Sequence, residues 1–178
     1  MGVILAKILD YPDYENQTKV LLLGEDAAGK SSFIYKLNSR HITNECPTIG
    51  VNLEILSYKS LKIVCCDLGS HDQIYKFRMI NLGTCGIMFM FDLTDHYRYD
   101  EAVKILQNYM SQPETLGLPV LIICNKIDLP VTVDIEKVKD TVKPILEGRV
   151  WEIIGTSVIK GVGMKESISW MSNAVNNN

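Results

Sequence analysis

Residues 24–31 read Gly-Glu-Asp-Ala-Ala-Gly-Lys-Ser and match the pattern G-x-x-x-x-G-K-[ST]. They follow an apolar run, Val20 to Leu23, and precede a segment with helical spacing, which is the context that this motif requires. The two glycines let backbone N–H groups close around phosphate oxygens, and the lysine would neutralise the terminal phosphates. We therefore predict a phosphate-binding loop rather than an empty glycine-rich turn, with nucleotide contacts from Gly24, Asp26, Ala27, Ala28, Gly29, Lys30, Ser31 and Ser32.

A second motif, Asn125-Lys126-Ile127-Asp128, follows the apolar run Val120 to Cys124. Ligands of open α/β sheets bind at this end of a strand. The Asp128 carboxylate would accept hydrogen bonds from N1–H and the 2-amino group of guanine, which adenine does not offer. Asn125 would fix the loop and the base edge, and the stem of Lys126 would cover the ring. Alone, the motif is equally well a polar loop; combined with the phosphate loop it predicts guanine recognition.

Four residues are candidates for the magnesium and γ-phosphate sites. Ser31 would place its hydroxyl on Mg²⁺. Asp67 follows the apolar run Leu61 to Cys66 and would reach the metal through water, while Gly69 approaches the γ-phosphate. Thr48, in Pro47-Thr-Ile-Gly50, would supply another hydroxyl to Mg²⁺. The alternatives are an acidic strand cap for Asp67 and a simple turn residue for Thr48.

Apolar runs alternate with segments of helical period, which predicts an α/β fold with a mostly parallel sheet covered on both faces. The short link 57–60 allows only a hairpin, so one edge strand should be antiparallel. The predicted strands are Val20–Leu23, Val51–Leu56, Leu61–Cys66, Gly86–Phe91, Val120–Cys124 and Val150–Ile154. The predicted helices are Lys30–Asn38, Tyr97–Met110, Asp134–Leu146 and Met164–Val175, with a weaker one at Asp72–Leu82.

Size and composition limit the possible functions. The chain has 178 residues, 47% of them hydrophobic, which suits one domain. Its formal net charge is −3, and without a basic block there is no electrostatic case for nucleic-acid binding. Five cysteines without a CxxC pair, and no signal-peptide pattern, favour a reducing intracellular compartment. No apolar run approaches the length of a membrane span.

The order of the motifs GEDAAGKS, PTIG, DLG, NKID and Thr156-Ser157-Val158 resembles that of the Ras-like small GTPases. D-A-A-G-K, PTIGVNLE, the initial Met1-Gly2 and the closing Ser169-Trp-Met-Ser172 resemble the Arf and Arf-like branch over essentially the whole chain. The resemblance implies a GTP/GDP switch that uses Mg²⁺, a six-stranded sheet, and additional nucleotide contacts from Ser157 and Val158. It implies a G domain at residues 16–178 after an N-terminal amphipathic segment at residues 2–15.

One departure from the Arf pattern concerns catalysis. Arf proteins typically read D-x-G-G-Q where this chain reads Asp67-Leu-Gly-Ser70-His71. Histidine thus replaces the glutamine that orients the attacking water, as it does in the Sar-type relatives that still hydrolyse GTP. We expect His71 to position the water, with Lys30 and Gly69 completing the catalytic set; the alternative is a solvent-facing histidine. Ser70 would restrict closure of the loop over the γ-phosphate.

The N-terminus predicts a reversible membrane contact. Gly2 would be exposed by methionine removal and could carry myristate, as in most Arf proteins. The apolar positions of residues 2–9 lie near one helical face and would enter a bilayer interface, while the acidic stretch Asp10 to Glu15 would weaken retention on anionic lipid. A plain capping helix is the alternative.

The sequence thus predicts a cytoplasmic Arf-like GTPase that acts reversibly on endomembranes such as the Golgi. It would hydrolyse GTP slowly and recruit effectors in vesicle traffic, with an exchange factor and an activating protein as partners. No arginine is placed to act in cis, so an arginine supplied in trans is expected. A nucleotide-bound scaffold without hydrolysis is one alternative. A small-metabolite kinase is another, although it would lack the guanine-reading motif.

Overall fold

The computed structural model describes residues 18–38, 52–58, 60–67, 83–130 and 133–177. The strands are β1 Thr18–Gly24, β2 Asn52–Tyr58, β3 Leu61–Asp67, β4 Thr84–Asp92, β5 Val120–Asn125 and β6 Trp151–Thr156. The helices are α1 Lys30–Leu37, α2 Tyr99–Met110, α3 Ile135–Val142 and α4 Met164–Asn176, with a 3₁₀ turn at Pro113–Thr115. The predicted α/β class is confirmed.

The six strands form one sheet in the order β2-β3-β1-β4-β5-β6. The pair β2 and β3 is antiparallel, and every other pair is parallel. The antiparallel edge pair in an otherwise parallel sheet is confirmed, because a two-residue connection returns the chain only as a hairpin. It also places the carboxyl ends of β1, β4, β5 and β6 at one edge of the sheet.

Each face of the sheet buries its own apolar layer. Leu21, Phe89 and Ile122 pack with α2 and α3 on one face. Leu22, Met88 and Leu121 point the other way and pack with α1 and α4. Adjacent strand residues alternate between faces, so both layers are built by the same strands. Strands buried on both faces explain why their sequences are continuous apolar runs.

Two helices differ from their predicted bounds by more than one residue at one end. The helix predicted from Asp134 to Leu146 ends at Val142. Lys143 still has helical dihedral angles, but Pro144 has no backbone N–H to continue the helical hydrogen bonds. The helix predicted from Tyr97 begins at Tyr99, since the Asp95 carboxylate accepts a hydrogen bond from the Arg98 backbone N–H and closes a turn first. The predicted helix at residues 72–82 and the N-terminal segment at residues 2–15 lie outside the described residues. Among the described helices, none has the length and apolar character needed to cross a membrane.

Candidate functional site

The phosphate-binding loop joins the end of β1 to the start of α1. Its backbone takes left-handed conformations at Ala27 (φ 64°) and Gly29 (φ 102°). Such geometry is rare for residues with a side chain, and it turns successive N–H groups towards the same space. Gly24 also has positive φ, and a Cβ there would collide with the backbone carbonyl of Met90. The two motif glycines are therefore required by the fold of the loop.

Lys30 is the cation of this loop, and it is buried although it is charged. Its Nζ donates hydrogen bonds to the backbone carbonyls of Glu25 at 2.7 Å and Gly24 at 3.1 Å. The ammonium thus spans the loop from inside, and its positive charge suits a phosphate group.

The start of α1 fits a phosphate group. No side chain caps this helix end, and its first turn contains no acidic residue. The N–H groups of the first helical turn and the helix dipole favour an anion at this place. Ser31 and Ser32 are exposed there. The donor set of the loop therefore fits the phosphates of a nucleotide.

The Mg²⁺ prediction is only partly covered by the structure. Ser31 stands at the start of α1, where its hydroxyl would reach a metal bound to the phosphates. Thr48, Gly69 and His71 lie outside the described residues, as do Gly2 and Ser70, and of Asp67 only the backbone is described. Within the described ranges no three His, Cys, Asp or Glu side chains cluster to hold a metal ion. In nucleotide sites Mg²⁺ is commonly bound by one or two protein oxygens together with phosphate oxygens.

Asn125 connects the guanine motif to the phosphate loop. Its side-chain Nδ2 donates to the Ala28 backbone carbonyl at 2.8 Å, and its Oδ1 accepts from the Thr156 hydroxyl at 3.0 Å. All three residues are buried. A Cβ at Gly29 would lie 2.5 Å from Nδ2, so the second motif glycine also makes room for this contact. The structure thus brings the two sequence motifs together.

Asp128 lies beside the loop that carries Ser157. A hydrogen bond from the Ser157 side chain, with a weaker contribution from the charge of Lys160, holds the pKa of Asp128 below its ordinary value. The carboxyl is therefore ionised at neutral pH and remains a pure acceptor. Ser157 and Val158 are both buried in this loop, which the backbone bonds between Ser157 and Val162 close. Asp128, the residue predicted to recognise guanine, therefore carries the negative charge that this role requires.

Lys126 takes a left-handed conformation (φ 69°), and its ammonium pairs with Oδ2 of Asp92. Asp92 is the last residue of β4, and its Oδ1 accepts from the backbone N–H and the hydroxyl of Thr94 at 2.9 and 2.6 Å. Sequence reasoning did not single out Asp92. The signal that could have identified Asp92 is its place in the sequence, as an acidic residue at the carboxyl end of an apolar strand.

Glu25 is the second residue that the sequence analysis missed. Its side chain is buried, and burial raises the pKa of the carboxyl to about 7. Oε1 accepts a hydrogen bond from the Asp92 backbone N–H at 3.2 Å. Oε2 has no hydrogen-bond partner among the described residues. Glu25 occupies a position of the motif where any residue is allowed, so nothing in the sequence indicated that its side chain is buried.

Comparison with known proteins identifies the family. The model of the ADP-ribosylation factor family matches residues 3–175. The chain belongs to the ADP-ribosylation factor (Arf) family, a family of small GTPases. This Arf-family chain is also 33% identical to ADP-ribosylation factor-like protein 1 of Saccharomyces cerevisiae, over 98% of this chain and 97% of that protein. The resemblance seen in the motifs is thereby confirmed.

A solved structure agrees in fold. The small GTPase Arl6 BBS3 from Trypanosoma brucei, with the bound nucleotide analogue GppNp, superimposes with a TM-score of 0.74. The alignment covers 90% of this Arf-family chain and 98% of that chain at 19% identity. At this identity the match establishes the small GTPase fold, which confirms the predicted sheet and its helices.

Proposed function

We propose that this Arf-family chain is a GTP/GDP switch that reads guanine through Asp128 and holds the phosphates through residues 24–32. The observation that carries the proposal is the hydrogen bond from Asn125 to Ala28, which fixes the guanine motif against the phosphate loop. An ionised Asp128 and the buried ammonium of Lys30 supply the two charges that a guanine nucleotide needs. Bound Mg²⁺ would neutralise phosphate charge, with Ser31, Thr48 and Asp67, the last through water, as its protein-side partners.

Hydrolysis by this chain is proposed to be slow without an activating protein. In phosphoryl transfer the protein mainly positions groups and stabilises charge, and an arginine in trans adds roughly 10³ to 10⁵ in rate in this class. His71 would orient the attacking water, with Lys30 and Gly69 at the γ-phosphate. A scaffold that binds guanine nucleotide without hydrolysing it is the second candidate, because Ser70 and His71 depart from the usual Arf residues.

The proposed setting is the cytoplasm, with reversible recruitment to endomembranes such as the Golgi. Gly2 and the apolar positions of residues 2–9 would supply a myristoylated membrane contact. An exchange factor, an activating protein and effectors in vesicle traffic would be the partners, and nucleic acid would not. The yeast relative named above supports an Arf-like role for this chain.

The first test is a competition titration with a fluorescent guanine nucleotide and with GTP, GDP or ATP as competitor, with and without Mg²⁺. GTP and GDP should displace the probe at low concentration and ATP should not. Asp128→Ala should lose the guanine preference, whereas the surface variant Lys139→Gln should behave as wild type. Equal competition by ATP would overturn the guanine assignment and leave only a phosphate-binding fold.

The second test separates the switch from the scaffold. Single-turnover hydrolysis of bound GTP is followed for the wild type and for His71→Ala, alone and with an Arf-type activating protein. Stimulated turnover that His71→Ala abolishes supports the switch. Bound GTP that persists in the wild type under both conditions supports the scaffold. Turnover that is unchanged in His71→Ala would remove the catalytic role of this histidine.

A further inference from the structure

Glu25 is a residue of the phosphate-binding loop whose carboxyl is enclosed by the protein. The residue is 5% exposed, and one oxygen of the carboxyl has no hydrogen-bond partner among the described residues. A buried carboxylate with an unpaired oxygen is costly, so this group is not explained by stability alone. The other oxygen accepts from the Asp92 N–H at 3.2 Å, across 67 positions of sequence.

Asp92 extends this contact towards the guanine motif. Its backbone N–H donates a hydrogen bond to Glu25. Its carboxylate pairs with the ammonium of Lys126 and accepts a hydrogen bond from the N–H of Thr94. Lys126 in turn has a left-handed backbone conformation, which is strained for a residue with a side chain and must be stabilised by its neighbours. Three residues thus form one connected path from the phosphate loop to the loop that carries Asp128.

Several charged groups surround the Glu25 carboxyl. Burial is the main reason why its pKa rises to about 7, and the negative charges of Asp95 and Asp92 add to that rise. The Asp92 N–H and the charge of Arg98 act in the opposite direction. From α1, Lys30 binds the Glu25 backbone carbonyl, and from the loop after β5, Lys126 pairs with Asp92. The carboxyl therefore changes charge close to neutral pH.

We propose that Glu25 is a positioning residue for the guanine nucleotide, acting through Asp92 on Lys126, and that its ionisation speeds nucleotide release. The proposal rests on the proposed nucleotide binding. The carboxyl oxygen accepts the Asp92 N–H whether or not the acid is ionised, so the path persists in both states. Ionisation adds a negative charge to a loop that must hold phosphates, which opposes their binding.

Three forms of the chain separate charge from positioning. Glu25→Gln retains an acceptor for the Asp92 N–H and has no charge at any pH. Glu25→Met has similar bulk but lacks the acceptor, so the Asp92 N–H loses its partner. His96→Gln serves as a control, because it removes an exposed titratable ring in the loop that follows β4. Release of fluorescent GDP is followed from pH 6 to pH 8 at constant ionic strength.

Wild-type release should accelerate about three- to tenfold more than Glu25→Gln release between pH 6 and pH 8, as expected for one added charge near the phosphates. Comparing the two forms cancels the titration of the nucleotide and of other side chains. His96→Gln should follow the wild type. Glu25→Met should release GDP about tenfold faster than Glu25→Gln throughout. Identical pH profiles for wild type and Glu25→Gln, or equal release from the Gln and Met variants, would overturn the proposal.

Thermal unfolding without added nucleotide provides an independent readout. The folded carboxyl has the higher pKa, so it contributes stability below the unfolded value near 4.5 and loses it as the pH rises through about 7. The melting temperature of the wild type should therefore fall further than that of Glu25→Gln between pH 5 and pH 8. Equal losses would contradict the burial of this acid. A wild type that binds no guanine nucleotide would instead refute the proposed function.

Discussion

Removing the Thr156 hydroxyl tests whether the bridge at Asn125 controls nucleotide retention. Thr156 is fully buried at the end of β6, and its hydroxyl donates to Asn125 Oδ1 at 3.0 Å. Thr156→Val replaces this hydroxyl by a methyl group of similar size and leaves Asn125 in place. The amide then loses the donor that orients it towards the Ala28 carbonyl.

The expected cost follows from the burial of both partners. Leaving a buried acceptor without its donor costs about 1 to 2 kcal/mol. If that loss falls on the nucleotide-bound state, GDP should leave about 5- to 30-fold faster. The bond from Asn125 to Ala28 is still possible in the variant, so release should not become as fast as in a chain without the amide.

The assay is release of fluorescent GDP into excess unlabelled GDP, combined with thermal unfolding of the same samples. Ser167→Ala is the matched control, because Ser167 is equally buried and its hydroxyl donates at 2.8 Å to the Gly163 carbonyl, which belongs neither to the phosphate loop nor to the guanine motif. Both variants should unfold at a lower temperature, and only Thr156→Val should release GDP faster. Equal release from the two variants would refute the reasoning.

Three other outcomes are expected. Gly29→Ala should weaken GDP binding at least about tenfold in an equilibrium titration, because φ is +102° and the new Cβ would lie 2.5 Å from Asn125 Nδ2; unchanged affinity would contradict that geometry. Arg149→Met should lower the free energy of unfolding by about 1.5 to 3 kcal/mol in urea, since the guanidinium binds carbonyls at the end of α2 and in the 3₁₀ turn, and Arg149→Lys should recover part of it. Burial raises the pKa of Cys124 to about 12, so peptide mapping at pH 8 should find Cys85 alkylated and Cys124 intact in the folded protein.

The parts of the fold that were predictable from sequence are those determined by local pattern. Each strand buried on both faces is a short apolar run, and the hairpin follows from the length of one link. The phosphate loop was predictable because its backbone needs glycine at positions where φ is positive, as at Gly24 and Gly29. Its position between β1 and α1 is confirmed by the structure.

Helix ends were less predictable, since they depend on single contacts. Pro144 was visible in the sequence, yet the apolar spacing from Asp134 to Leu146 continues past it. The turn before α2 depends on a bond from the Arg98 N–H to Asp95, and residue type alone does not show that this bond forms. Periodicity describes which face is buried, and a single polar contact decides where the helix begins.

The contacts that connect the site could not be predicted from spacing, because they join residues far apart in sequence. Glu25 and Asp92 meet only after β1 and β4 pair, and the burial of the acid depends on this pairing. The sequence analysis assigned Lys126 to the base and gave it no protein partner. The structure adds the ion pair between its ammonium and Asp92.

The register of the parallel strands explains why these residues meet. Asp92 lies opposite Asn125, and Asn125 lies opposite Thr156, so the last residues of β4, β5 and β6 form one row at the edge of the sheet. A shift of one residue would turn the alternating core side chains to the wrong face, so packing on both faces fixes the register. The apolar core therefore determines the distances between polar groups that it does not contact. For this reason Thr156 and Glu25, to which the motifs assign no role, belong to the same site as Asn125 and Lys126.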